Sequence, residues 1–340
     1  MKIIDVDNQH KWDDFITSHK EANFLQSWDF YEFHKARGKV VVRRALVKGE
    51  DDNIVATYAG VVETAKRGKY MAIAGGPIMD WNNRDMVDKI FADIRYIGQK
   101  NGCSFVRIRP QLPLSDESMQ LMSTLNLKKA PMYLSVEYAG ILDLTKTKEE
   151  ILAGASQGFR RKLRKAEKAD IEVLANTEKW SIEEFCKLEK RHAERQKYVA
   201  FSDSFLTKQF EAFAKNDEVL IYTAKKDGEI LAQNFMIFYG AEASYHYGVS
   251  SQLGTKYSAA PLLHMEAMDE ARKRGCTRYN LWGIVEPDEK THRFYGVSEF
   301  KRSFGCEELR YTPAHDMILS PTKYQITKIV ETARKKIRHV

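Results

Sequence analysis

Residues 219–249 read VLIYTAKKDGEILAQNFMIFYGAEASYHYGV. Val219–Lys225 is rich in β-branched and aromatic residues, Asp227-Gly228 is the dipeptide a two-residue hairpin turn demands, and Ile230–Tyr239 and Ala243–Val249 repeat the strand composition. Three antiparallel strands in a meander are therefore expected here. Working outward, helical periodicity runs from Ala260 to Arg274 and stops at Gly275, and a strand follows at Arg278–Trp282. Upstream, helices are expected near 180–196 and 204–215.

The same order occurs once before. Helices near 11–20 and 28–37 precede strands at Val40–Val47, Ile54–Glu63 and Lys69–Ala74, with a turn at Glu50–Asn53. A helix from Arg84 to Lys100 ends at Asn101-Gly102, and the strand Ser104–Arg109 follows. Turns, helix stops and last strands are offset by about 173–177 residues, which indicates a duplicated unit. Meander, helix, then a strand entering beside the last one is the order of the N-acyltransferase fold. The fold class is therefore mixed α/β (α+β), with two tandem acyl-CoA N-acyltransferase (GNAT)-like domains. The first is expected over 1–144, joined by the C-terminal tail 311–340, and the second over 145–310.

With 43% apolar and 30% charged residues in 340, the chain can bury cores of that size, which excludes disordered and fibrous classes. No run approaches the roughly 18 apolar residues of a membrane span, and the acids of MKIIDVDNQHKWDDF do not suit a signal peptide, so a cytoplasmic location is expected. Cys103, Cys186, Cys276 and Cys306 are too dispersed for a zinc site or a disulfide framework. The histidines show no paired ligand spacing and no serine elbow is present; no metal and no organic cofactor is expected.

The net charge of +7 is local, since residues 160–168, RRKLRKAEK, hold six basic residues and one acid. On a helix from about Glu149 to Lys168, Leu152, Ala155, Phe159, Leu163 and Ala166 share one face, and Arg160, Arg161, Arg164, Lys165 and Lys168 lie opposite. A solvated face is the plain alternative, but one acid leaves too few partners for a salt-bridged surface helix, so these five are candidate contacts for tRNA or another polyanion. In the tail, Ile326, Ile329, Val330, Ala333 and Ile337 fall on one helical face, away from Lys328, Arg334, Lys335, Lys336 and Arg338. That helix is expected to pack on the first unit, with peripheral contact to an anionic membrane as the alternative.

Several segments, in order, resemble the Fem family (FemABX) of aminoacyl-tRNA-dependent peptidoglycan aminoacyltransferases. They are Phe24-Leu-Gln-Ser-Trp-Asp-Phe, Ala74-Gly-Gly-Pro-Ile-Met-Asp, Asp143-Leu-Thr, Gly158-Phe-Arg-Arg-Lys-Leu-Arg, Tyr247-Gly-Val-Ser-Ser, Ala260-Pro-Leu-Leu, Asn280-Leu-Trp-Gly-Ile and Gly296-Val-Ser-Glu-Phe-Lys-Arg-Ser-Phe-Gly. The resemblance covers nearly the whole chain and is of the short type, without the long helical arm. It implies transfer of an amino acid from aminoacyl-tRNA to an amine of the stem peptide of a UDP-linked or lipid-linked muramyl peptide, by a monomer. The missing arm predicts a preference for the soluble acceptor.

The resemblance also implies that Lys301 lies at the substrate channel, where an ammonium stabilises the oxyanion of acyl transfer, with Arg302 beside it. Without it, Lys301 reads as a snorkelling stem on a strand. Lys35 and Arg195 lie in regions from which relatives grip the precursor's phosphates; Arg37, Lys197 and His34 are alternatives. Tyr257 either lines the channel or belongs to the core. Arg109 stands where relatives have an acid, so no carboxylate base is expected there. The stretch Gln252–Pro261 lacks the Arg-x-x-Gly-x-Gly/Ala pattern of coenzyme A enzymes. Two rivals remain: an N-acyltransferase with a coenzyme A or carrier-linked donor, and a non-catalytic RNA-binding protein using the 160–168 stripe.

Overall fold

The computed structural model describes residues 1–65, 68–196 and 198–338, and side chains for all of these except 65 and 334–338. Lys197 and the side chains of Arg334, Lys335, Lys336, Ile337 and Arg338 lie outside the described residues. Two compact units result, one of residues 1–138 with 309–340 and one of residues 139–308.

The first unit runs β1 (Lys2–Asp5), α1 (Gln9–Thr17), α2 (Trp28–Ala36), β2 (Val40–Lys48), β3 (Asn53–Ala65), β4 (Gly68–Ala74), α3 (Arg84–Lys100), β5 (Phe105–Arg109), α4 (Asp116–Thr124) and β6 (Lys128–Lys129). The second runs β7 (Tyr138–Asp143), α5 (Lys148–Gly154), α6 (Gln157–Glu167), β8 (Glu172–Asn176), α7 (Lys179–Gln196), α8 (Asp203–Ala214), β9 (Val219–Lys226), β10 (Glu229–Tyr239), β11 (Glu242–Ser250), α9 (Gln252–Tyr257), α10 (Ala259–Lys273), β12 (Arg278–Gly283), α11 (Tyr295–Arg302) and β13 (Glu307–Arg310). The chain then supplies β14 (His315–Ile318) and α12 (Pro321–Arg338) to the first unit.

Each unit has one seven-stranded sheet, in the orders β1-β2-β3-β4-β5-β14-β6 and β13-β7-β12-β11-β10-β9-β8. Both contain the expected meander, β2-β3-β4 and β9-β10-β11, followed by a helix and a parallel strand. The helix covers the sheet with its apolar face: Val87, Ile90 and Ile94 of α3 pack with Met71, Ile73 and Val106, and Leu263, Ala267 and Met268 of α10 with Met236 and Leu281. Cys103, Cys186 and Cys276 are buried thiols and Cys306 is half-buried. Among the described residues no helix is long and apolar enough to cross a membrane.

Two expectations are corrected. The single helix over 149–168 is two, because after Gly154 the chain extends through Ala155 and Ser156, whose side chain accepts from the Phe159 N–H and caps α6. The tail helix packs on the first unit, but not through its apolar stripe. Tyr324, Thr327 and Glu331 are buried, whereas Ile326 is 59% and Ile329 69% exposed. Buried Arg107 on β5 sets this orientation: it donates twice to Asp316 (2.7 and 2.8 Å) and once to Glu331 (2.8 Å), and Tyr324 Oη donates to Asp316. A buried guanidinium needs carboxylates more than the core needs two further isoleucines.

Candidate active site

The units differ where the meander meets its parallel neighbour. In the first, β4 pairs β5 at five positions, from Tyr70↔Phe105 to Ala74↔Arg109, and the Gly75 N–H carries the pairing on to the Arg109 carbonyl. In the second, β11 pairs β12 at three only, Glu242↔Arg278 to Ser244↔Asn280. Buried Glu242 bolts that short ladder, accepting from Arg278 (2.8 Å), Ser244 (2.8 Å) and Asn280 (3.1 Å). Past it the strands part. β12 turns sharply at Trp282, a non-glycine residue at φ 65° whose N–H is held by Asn280 Oδ1, and such strain collects at functional sites.

Lys301 occupies the opening. It lies on helix α11, correcting the strand reading, and is 6% exposed. Its Nζ donates to the Gly283 carbonyl of β12 at 2.7 Å and lies 5.7 Å from the Tyr245 ring of β11, so it stands between the diverging strands. Burial pushes its pKa down to about 7. Beneath it, buried His264 of α10 meets Tyr279 Oη at 2.8 Å through Nδ1 and among the described residues has no hydrogen-bond partner at Nε2. Burial, then the charge of Lys301, pushes its pKa down to about 3, so it stays neutral. Helix α11 is anchored from behind. Phe304 packs on Phe159 (4.2 Å between centroids) and His264 (4.9 Å), and Gly305 at φ 75° lies so close to α5 that a Cβ would come within 2.2 Å of the Gly154 carbonyl.

The other expected residues fall as follows. Arg302 is braced by Glu299, Glu308 and the Val285 carbonyl. Tyr257 ends α9, half-buried against the core, with Lys226 and Lys256 near 6 Å from its ring (5.9 and 5.8 Å). Residues 252–257 form this short helix. Ser251 caps it, and Gly254 lies against β10 so closely that a Cβ would be 1.9 Å from the Leu231 carbonyl. Arg195 donates to the Ser250 carbonyl at 2.7 Å and meets His192 Nδ1 at 2.8 Å, at the wall of a cleft of about 990 Å³ also lined by Trp180, Arg191 and Lys225. Lys35 belongs to the first unit, paired at the surface with Glu32 (2.8 Å). Its alternative His34 is bonded to Arg37 and pushed down to about 3 by burial. Buried Arg109 donates to Ser135 and Gln111.

On α6, Arg160 points back and donates to the Leu152, Ala153 and Ala155 carbonyls, and Lys165 Nζ donates to the Lys256 carbonyl. Arg160 thus serves as a C-cap for α5. Arg161, Arg164 and Lys168 are exposed, and among the described residues none has a carboxylate partner. Sequence reasoning missed Tyr245, Glu242 and His264. A lone histidine on an apolar helix face carries no signal of its own, whereas Trp282 lies inside the quoted Asn280-Leu-Trp-Gly segment.

A family model described as the FemAB family matches residues 8–130 and 206–332. The chain is 24% identical to UDP-N-acetylmuramoylpentapeptide-lysine N(6)-alanyltransferase of Weissella viridescens, covering 81% of this chain and 84% of the relative. It is 18% identical to lipid II:glycine glycyltransferase of Staphylococcus aureus, covering 97% and 96%. Among solved structures, FemX aligns over 96% of this chain and 100% of its own with a TM-score of 0.86 at 18% identity. A tandem GNAT protein from the clavulanic acid pathway aligns over 94% and 99%, with a TM-score of 0.59 at 12%. The fold is thus that of tandem GNAT-like domains.

Proposed function

The chain belongs to the FemAB family, and on that premise we propose that it is an aminoacyltransferase that forms an amide between an amino acid and an amine of a peptidoglycan stem peptide, with aminoacyl-tRNA as donor. The observation that carries the reading to chemistry is Lys301, buried between β11 and β12 where they separate.

An ammonium has three N–H donors, of which the Gly283 carbonyl takes one and the rest remain for a ligand in the opening. When the acceptor amine attacks the ester carbonyl of the donor, a C–N bond forms and negative charge gathers on the carbonyl oxygen. Lys301 stabilises that charge, and the tethered stem keeps it in place before the reaction begins. Collapse breaks the C–O ester bond, and the amine's proton leaves to the departing ribose hydroxyl, directly or through water. Arg302 and Tyr257 flank the acyl path, Arg195 takes an acceptor phosphate, and Arg161, Arg164 and Lys168 take tRNA phosphates. The occupation of the 252–257 stretch by α9, packed on β10, weighs against a pyrophosphate loop of coenzyme A type.

The test is to incubate the protein with charged total tRNA and UDP-linked muramyl pentapeptide, with and without ribonuclease. A mass gain of one amino acid that ribonuclease abolishes is expected. Transfer that persists after ribonuclease and depends on acyl-coenzyme A overturns the donor.

A further inference from the structure

Helix α12 has its polar side inward and its apolar side out. Tyr324, Thr327 and Glu331 are buried, and Ile326 and Ile329, one turn apart on the other side, are among the most exposed large apolar residues of the described chain. Val330 flanks them half-buried and Ala333 is exposed. The orientation is imposed from beneath by Arg107, which pairs Asp316 and Glu331, so the outward stripe is not a packing face left over by chance.

The charges of the helix bear on what covers that stripe. Residues 321–338 contain Lys323, Lys328, Arg334, Lys335, Lys336 and Arg338 and a single acid, Glu331. That acid is buried and spent on Arg107, and Lys323 and Lys328 are exposed. Among the described side chains, the charge the helix offers its surroundings is therefore positive, together with branched apolar groups. A second copy would bring Lys323 and Lys328 against the same two cations of its own. An anionic bilayer surface accepts both features at once: apolar side chains enter the boundary between headgroups and acyl chains while lysines stay among the phosphates.

We propose that the Ile326/Ile329 face of α12 docks the protein on the surface of an anionic membrane. The docking stands on the helix alone. Its consequence, faster turnover of lipid-linked than of nucleotide-linked acceptor, rests on the function proposed above and reverses the preference for soluble acceptor expected from the missing arm.

The test measures docking with neither donor nor acceptor present, so failure of the transferase reading and failure of this one are distinguishable. The full chain is sedimented with vesicles of mixed phosphatidylglycerol and phosphatidylcholine and with vesicles of phosphatidylcholine alone. Binding to the anionic vesicles that weakens with salt is expected. The double variant Ile326→Gln/Ile329→Gln should lose roughly tenfold or more of its partitioning, with an unchanged Tm because both side chains are already in water. The variant Lys323→Gln/Lys328→Gln should retain part of the binding and flatten its salt dependence. No binding to anionic vesicles, or undiminished binding by the isoleucine variant, overturns the proposal. So does a dimer in sedimentation velocity that the isoleucine variant dissolves, which assigns the face to a second copy.

Discussion

Lys301 combines two properties that pull against each other: burial makes its charge costly, and the proposed role needs that charge. Lys301→Met keeps the stem and removes the ammonium, and should lower kcat on the order of 10²-fold while leaving both KM values close to wild type. Steady-state kinetics on the two substrates checks the split. Because the protonated form is the donor and its pKa lies near 7, turnover should carry a descending limb there that the variant lacks. The stability effect has the opposite sense. Between about 7 and the ordinary 10.5 the unfolded chain holds a proton that the folded chain has lost, so wild-type stability rises with pH through that window. Thermal melts from pH 6 to 10 should show that rise in the wild type and a flatter curve in Lys301→Met. The lysine's importance came from resemblance to a family, since a lysine between apolar neighbours reads equally as a snorkelling stem. Its neighbours Tyr245, Glu242 and His264 carry no spacing that marks them, because their contacts join residues far apart in the chain.

The meander of each unit was legible because strand composition and the Asp227-Gly228 turn are local signals, whereas the break between α5 and α6 was overridden by an unbroken apolar periodicity. Yet Gly154 and the cap Ser156 were there to be read. The break changes what the basic stripe can do. Replacing Arg161, Arg164 and Lys168 with Gln should raise the KM for aminoacyl-tRNA and reduce its salt dependence by about three phosphate contacts, with little change in Tm. Arg160→Gln should behave differently, because its guanidinium closes the end of α5; a loss of about 1–2 kcal/mol in urea unfolding is expected, with the salt dependence intact. An unchanged salt slope in the triple variant returns α6 to the role of a solvated helix. The facing of α12 was the least legible element. Its periodicity is plain, but periodicity cannot say which face turns inward when a buried ion pair to a residue more than two hundred positions away competes with it.

At the scale of the chain, the repeat was visible as matching turns and helix stops, while the asymmetry between copies was not, since pairing of β11 with β12 at three positions rather than five is decided by side chains around Glu242 and Trp282. The first unit is also interrupted: β14 lies between β5 and β6, yet it follows the entire second unit in sequence. A fragment of residues 139–308 should unfold cooperatively by circular dichroism, whereas a fragment of residues 1–138 should not. Without β14 and α12 the latter leaves β5 as an unpaired edge and its core open where Met317 closes it. A cooperative transition in the 1–138 fragment would show the tail to be dispensable. The interruption also sets an order of events on the ribosome. The second unit has all its strands once residue 310 has emerged, but the first must wait, its sheet open at β5, until β14 follows. The unit begun first of the two is thus the one finished last, and a nascent chain stalled between the second unit and β14 exposes that unfilled edge to whatever chaperone attends it.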